Sequence, residues 1–228
     1  MITTLSAIVL AATTVPSLAQ ERAVGARLLY DVTVSGQGGG MGAGRTMNMG
    51  FALTLDRVDA DGSAHAKASI SGAGLPASSN FAFDATVSPA GAIIPKYDPN
   101  IKMHAGMSEA ESLAFAENQA AMVFSTTLRP INAFASACAQ RANPRVGDTW
   151  HAEMDVPFAT DAIYTVTGQR DLLGHRVYAV SVQAAATTAN TVAGQGSYDS
   201  TAHLVSVFHY TLTNTNGETE TADFTLHQ

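Results

Sequence analysis

Met47–Ile70 reads MNMGFALTLDRVDADGSAHAKASI. Met47, Met49, Phe51, Leu53 and Leu55 fall on every second residue, with Asn48, Gly50, Thr54 and Asp56 between them. A period of two is the pleat of a strand with one buried face. Asp59-Ala60-Asp61-Gly62 interrupts it with turn formers and a glycine suited to positive φ. Ala64, Ala66, Ala68 and Ile70 then resume the alternation. The stretch predicts a β-hairpin, and a connection this short makes the pair antiparallel.

The pattern extends both ways. Upstream, Leu28, Tyr30, Val32 and Val34 share a face, and Gly36–Gly44 is a glycine-dominated connection. Downstream, Gly72–Ser79 is a second connection, and Phe81, Phe83, Ala85 and Val87 share a face. Ser88-Pro89-Ala90-Gly91 turns into a short strand at Ile93-Ile94, limited by Pro95. After the middle of the chain, Val146–Trp150 turns into a strand. Ile163–Thr167, Arg176–Ala184, Thr191–Tyr198, Leu204–Thr213 and Glu218–Leu226 are further candidates.

The centre has another period. Ser108-Glu109-Ala110-Glu111 is a capping-box signature, followed by alanine-rich sequence to about Thr127. Leu113, Ala116, Ala120, Val123 and Thr127 make one helical stripe, and Phe115 and Met122 make a second. Pro130 suits the first turn of a second helix, with Ile131, Phe134, Ala135 and Cys138 on one face; Asn143-Pro144 ends it. The expected class is α+β: a mainly antiparallel, curved β-sheet with two central helices packed on it.

Met1–Ala19 has no charged side chain, an apolar run Leu5–Ala12, a break at Pro16 and a small-residue exit at Ser17-Leu18-Ala19. That is the layout of a secretory signal peptide, without the usual basic front end. The expected organisation is a signal at 1–19 and one domain over 20–228. Two β regions, about 26–95 and 146–227, are joined by helices at about 108–142. Gly62 and Gly174 are 112 residues apart, as are Ile70 and Val182; Phe83-Asp84 matches Tyr198-Asp199 at an offset of 115. A duplicated meander and two independent hairpin arrays fit these offsets equally.

Composition narrows the function. The 228 residues are 46% hydrophobic and only 14% charged, with a formal net charge of −7. That suffices for a core, excludes a charge-rich disordered chain and argues against nucleic acid as a partner. The one cysteine excludes an internal disulfide framework. With an export signal, it fits a periplasmic or secreted protein. The acidity concentrates in residues 143–228, which hold three basic and nine acidic residues. A face of that charge repels anionic membrane surfaces.

Three segments carry a resemblance: Arg57–Gly62, Phe83–Gly91 and Val146–Trp150. With Asp199-Ser200-Thr201-Ala202, they make the chain similar to a broad group of uncharacterised exported bacterial β-rich proteins. More remotely, the layout resembles periplasmic lipoprotein-carrier folds. That resemblance implies a curved antiparallel sheet closed by helices over a hydrophobic cavity. Its motifs mark turns and strands, so it carries over no functional residue.

Catalytic motifs are missing from the sequence. Gly194-Gln195-Gly196-Ser197 puts the serine in the wrong place for a nucleophile elbow, and there is no phosphate loop, dinucleotide fingerprint or H-E-x-x-H pair. His203 and His209 share a strand face if the strand is regular, but two imidazoles do not make a metal site. Met103-His104 with Met107 offers copper(I)-type ligands, though methionine also fills gaps in cores. Asp56, Asp59 and Asp61 lack the later glutamate of a calcium loop. Cys138 lies on an apolar helix face with no base to activate it.

The expectation is a non-enzymatic exported protein with no catalytic residue, metal or cofactor. It binds a lipophilic small molecule in an apolar cleft between sheet and helices. The expected lining is Met47, Met49, Phe51, Phe81, Phe83, Phe115, Met122 and Trp150. The alternative is a periplasmic structural or interaction module, partnered by another envelope protein, whose cleft is filled.

Overall fold

The structure, a computed structural model, describes residues 23–37, 44–72, 81–156, 158–172, 174–184 and 190–227. The export segment 1–19 lies outside the described residues, as do most of the two glycine-rich connections.

Among the described residues, five strands precede one helix and six follow it. They are β1 (Arg27–Gln37), β2 (Arg45–Val58), β3 (Ala64–Gly72), β4 (Phe81–Val87) and β5 (Ile93–Pro95). After α1 (Glu109–Ala139) come β6 (Thr149–Val156), β7 (Phe158–Leu172), β8 (His175–Ala184), β9 (Asn190–Asp199), β10 (Leu204–Asn214) and β11 (Thr219–His227). All eleven form one sheet in the order β5-β4-β3-β2-β1-β11-β10-β9-β8-β7-β6. The chain walks out to one edge, crosses through α1 to the opposite edge, and walks back until β11 lies antiparallel to β1. That seam joins the two halves in register, with Tyr30 opposite Leu226, Val32 opposite Phe224 and Val34 opposite Ala222.

The two runs β5-to-β1 and β10-to-β6 are laid out in the same order. Each carries a β-bulge, between Leu55 and Arg57 in β2 and between Val166 and Gly168 in β7. Each bulge precedes a turn whose glycine, Gly62 or Gly174, has positive φ. The offset of 115 does not align like positions. Asp84 sits mid-strand opposite Lys67, whereas Asp199 ends β9 and opens a turn.

The sheet curls strongly. β4 and β9 are six strands apart in it, roughly 29 Å if flat at about 4.8 Å per strand. Yet the Tyr198 hydroxyl on β9 donates to the Ala90 carbonyl in the β4–β5 turn at 3.3 Å. The inward side chains therefore line a trough, and one continuous apolar core fills it.

The helical expectation is corrected in two ways. First, one helix replaces two central helices, so the fold is mostly sheet. Glu109–Ala139 is continuous and Pro130 lies inside it. An internal proline costs about 3 kcal/mol through a lost hydrogen bond and a ring clash. Here the hydroxyls of Thr126 and Thr127 donate to the carbonyls of Met122 and Val123, a pattern that favours bending just ahead of the ring. Burial of Leu128 and Ile131 on either side outweighs the remainder. Second, the buried stripe is rotated by one residue. Leu113 and Val123 are 54% and 46% exposed, while Phe124, Leu128, Phe134 and Ala121 are wholly buried. Bulk at positions 124, 128, 131 and 134 decides which face turns inward.

The helix starts at the expected capping box: Ser108 Oγ accepts from the Glu111 amide, and the Glu111 carboxylate accepts from the Ser108 amide. It touches β4 and β5 on one side, β6 on the other and β10 across the trough. Since β5 and β6 are the edge strands, α1 bridges both edges of the curled sheet. Among the described residues, no helix is long and apolar enough to cross a membrane.

Candidate apolar trough and its mouth

Two asparagines fix the helix to one edge. Asn132 accepts the Ile93 amide and donates to the Ile93 carbonyl, both at 2.7 Å. Asn118 does the same at Asp98, at 2.6 and 2.8 Å. A carboxamide copies the donor–acceptor pair of a strand backbone, so Asn132 satisfies an edge that would otherwise invite another chain, while Asn118 holds the loop that follows β5. At the other edge the Trp150 indole donates to the Ala137 carbonyl at 3.1 Å and stacks on Tyr164.

The middle of the trough is filled. Phe51 and Phe83 meet the edge of Phe124 at centroid distances of 4.6 and 5.1 Å. Phe134 stacks on Phe208 at 4.6 Å. Gly196 makes room for it: a Cβ there would lie 2.8 Å from both Phe134 Cζ and the Val207 carbonyl oxygen.

The eight expected lining residues therefore divide. Phe51, Phe83 and Trp150 are buried in packing contacts, and Met49 is buried on β2. Met47, Phe81, Phe115 and Met122 are half-buried. Met47 and Phe81 lie toward the end of the sheet where β1 leads to β2 and β10 to β11, which we call the mouth. Leu212, near the end of β10, is a further half-buried apolar side chain there, packed on the core. α1 begins at this end: Asn118 is level with Asp98, and the residues before it extend about 13 Å further.

One inward position at the mouth is acidic. Along β11, Glu220, Ala222, Phe224 and Leu226 share the inward face. Register sets Glu220 opposite Leu212 on β10 and Gly36 on β1. The Tyr210 hydroxyl donates to Glu220 Oε1 at 3.0 Å. Burial, and then the Glu220 charge, push that hydroxyl far above its ordinary pKa, so it remains a donor.

At the opposite end, His175 Nδ1 and Asp199 Oδ2 form a buried pair at 2.7 Å. Asp199 Oδ1 also accepts from the amides of Thr201 and Ala202. The pair ties two turns together, with both Asp199 oxygens engaged. His203 and His209 do not share a face: His203 sits in the β9–β10 turn beside Tyr198, while His209 faces Asp223 on the outer surface. Among the described residues no three His, Cys, Asp or Glu side chains converge as a metal site. Met107 Sδ accepts the His104 amide at 3.5 Å, and Met103 is 70% exposed. Asp59 lies in a solvated turn, where Arg57 and then His65 lower its carboxyl pKa. Cys138 is buried, and burial pushes its thiol pKa far up.

Two of the clefts formed by the described residues lie at the α1–β6 junction and at the surface of the sheet. One of about 300 Å³ is lined by Arg141, Ala142, Asn143, Pro144, Asp148 and Thr149. The other, about 270 Å³, is lined by Gln183, Ala184, Thr191, Val192, Ala193, Thr211 and Thr213, mostly outward-facing positions of β8, β9 and β10. None of the eight expected residues lines either cleft.

Sequence reasoning missed Phe124, Asn118, Asn132, Tyr210 and Glu220. Glu220 had a readable signal, since it continues the period of Ala222, Phe224 and Leu226. The asparagines also had one, as amides in an apolar helix about four turns apart.

No protein-family model and no curated protein matches the chain. Among solved structures it is remotely similar to a Bacteroides fragilis protein described as exported, with a YmcC-like fold: 10% identity, TM-score 0.31, covering 92% of this chain and 97% of that one. It is similar to an outer-membrane lipoprotein-sorting protein domain from Vibrio parahaemolyticus at 10% identity, TM-score 0.28, covering 91% and 86%. A DUF1329 family protein from Desulfovibrio piger gives 10% identity and TM-score 0.21, covering 88% and 85%. Superpositions at this level transfer no residue and no role.

Proposed function

We propose that this is an exported, non-enzymatic protein that binds a lipophilic small molecule at the mouth of the trough. The observation that carries the reading is the contrast along the inward face. Its middle is closed by Phe124, Leu128 and Phe134, while its mouth ends in half-buried Met47, Phe81 and Leu212. Apolar side chains left half-open at the end of a packed trough are favourable contacts for an acyl or alkyl chain. Export rests on the layout of Met1–Ala19. The non-enzymatic reading rests on the buried His175–Asp199 pair, whose carboxylate is held by a ring and two backbone amides.

A second reading, an envelope interaction module without a ligand, is supported by the same filled middle. Native mass spectrometry of the exported protein, with uptake of a neutral fluorescent lipophile, separates the two. Phe81→Asp, at the mouth, abolishes uptake and leaves the sheet folded, because a carboxylate in an apolar site carries a penalty of several kcal/mol or protonates. Asn48→Ala, on the outer face, leaves uptake unchanged. A bare-chain mass with no uptake by the unaltered protein overturns the binding reading in favour of the second.

A further inference from the structure

We infer that the loop between β5 and α1 binds one soft monovalent metal ion, copper(I), through the sulfurs of Met103 and Met107 and Nε2 of His104. The inference is independent of the lipophile-binding reading. The three residues fall in the short run Met103-His104-Ala105-Gly106-Met107. A methionine in a core fills gaps between other side chains. These two have no such role. Among the described residues the apolar core and the side chains packed on it include neither of them. Met103 is 70% exposed, His104 is exposed and Met107 is half-buried.

Three features fit the loop to an ion. First, Ala105-Gly106 is a turn in which Gly106, at φ 81°, reverses the chain. The reversal brings Met107 Sδ back to the His104 amide, which donates to it at 3.5 Å. That contact uses one sulfur lone pair and leaves the other for a metal. Second, His104 Nδ1 lies 3.3 Å from the Ala105 carbonyl oxygen. A carbonyl only accepts, so Nδ1 carries the proton and Nε2 of the neutral ring keeps its lone pair. Metal-ligating histidines are oriented in this way, with the other ring N–H given to a carbonyl or carboxylate. Third, Met103 directly precedes His104. The rotatable bonds of its exposed side chain let its sulfur close over an ion held by the other two. Two thioethers and an imidazole are soft donors that suit copper(I), whereas zinc draws on thiolates, imidazoles and carboxylates, and calcium on oxygen alone. The flanking charges, Lys102 and Glu109, are opposite in sign and exposed, so the donor atoms and not the local field select the ion.

The test is titration of the purified exported protein with copper(I), without oxygen and against a chromophoric chelator, and with silver(I) nitrate in chloride-free buffer as a redox-inert substitute. A Cys138→Ala background removes the thiol as a competing ligand. The expected result is one ion per chain by native mass spectrometry, with the NMR signals of the His104 ring and of the Met103 and Met107 methyl groups shifted. Zinc(II) at the same concentration should shift none of them. Met103→Leu combined with Met107→Leu should weaken silver(I) binding at least tenfold, and His104→Ala should do likewise. Circular dichroism should be unaltered in both, since the three side chains lie outside the core. Should a variant fail to fold, the shifted signals of the unaltered loop still decide. Absence of a bound ion, shifts confined to other methionines, zinc(II) binding as tightly as silver(I), or a double leucine variant that binds silver(I) normally would each overturn the assignment.

Discussion

Asn132→Ala tests how the helix is held to the sheet. The substitution removes two hydrogen bonds of 2.7 Å to the backbone of Ile93. Each is worth about 0.5–1.5 kcal/mol net. Ile93 is 2% exposed, so its amide and carbonyl regain water only if the edge opens, which adds about 1 kcal/mol or more. Alanine returns roughly 0.5 kcal/mol of helix propensity. The balance is a loss of about 2–3 kcal/mol, or roughly 4–12 °C in Tm for a chain of this size. Urea unfolding followed by circular dichroism and by the single tryptophan measures it, since Trp150 reports on the junction of α1 with β6. Asn118→Ala should cost less, about 1–2 kcal/mol, because Asp98 is exposed and its backbone groups regain water. The two should add within about 0.5 kcal/mol, since four helical turns separate them. Hydrogen exchange at Ile93 should quicken in the Asn132 variant. A loss below about 0.5 kcal/mol with unchanged exchange would refute the clasp and leave apolar packing alone to hold α1.

Three further outcomes are expected. Gly196→Ala should destabilise by about 2–3 kcal/mol, because the added methyl meets both the Phe134 ring and the Val207 carbonyl at 2.8 Å; a thermal melt matching that of the unaltered protein would contradict this. Cys138 should resist thiol reagents until the protein unfolds, and Cys138→Ala should cost only about 1 kcal/mol, since the thiol acts as a small buried hydrophobe; rapid labelling of native protein would exclude that environment. The Ser108 amide, and then its hydroxyl, hold the Glu111 carboxyl below its ordinary pKa. Its contribution is therefore present above the ordinary value and lost as pH falls through the lowered one. Protection factors of the first-turn amides of α1, taken against the intrinsic exchange rate at each pH, should fall on acidification through that range in the unaltered protein and not in Glu111→Gln.

The strands were legible because their information is local. Met47 to Leu55 and Ala64 to Ile70 alternate strictly, and one register then turns every even or odd side chain inward. Asp59–Gly62 marked its turn because positive φ at Gly62 needs no distant partner. The capping box at Ser108 and Glu111 was readable for the same reason: its groups lie within one helical turn.

Only the tertiary structure decided how these elements close on one another. Pro130 marks a helix start in a free chain, but packing of Leu128 and Ile131 carries α1 through it. The inward face of α1 was settled by Phe124, whose ring meets residues more than 40 positions away on β2 and β4. Whether Met47 and Phe81 stay half-open while Phe51 and Phe83 are sealed depends on where α1 crosses the trough. Local sequence fixes periodicity and turns because their energies come from neighbouring residues. The seam between β1 and β11, the curl that brings Tyr198 to Ala90, and the meeting of Tyr210 with Glu220 come from burying the whole apolar face at once.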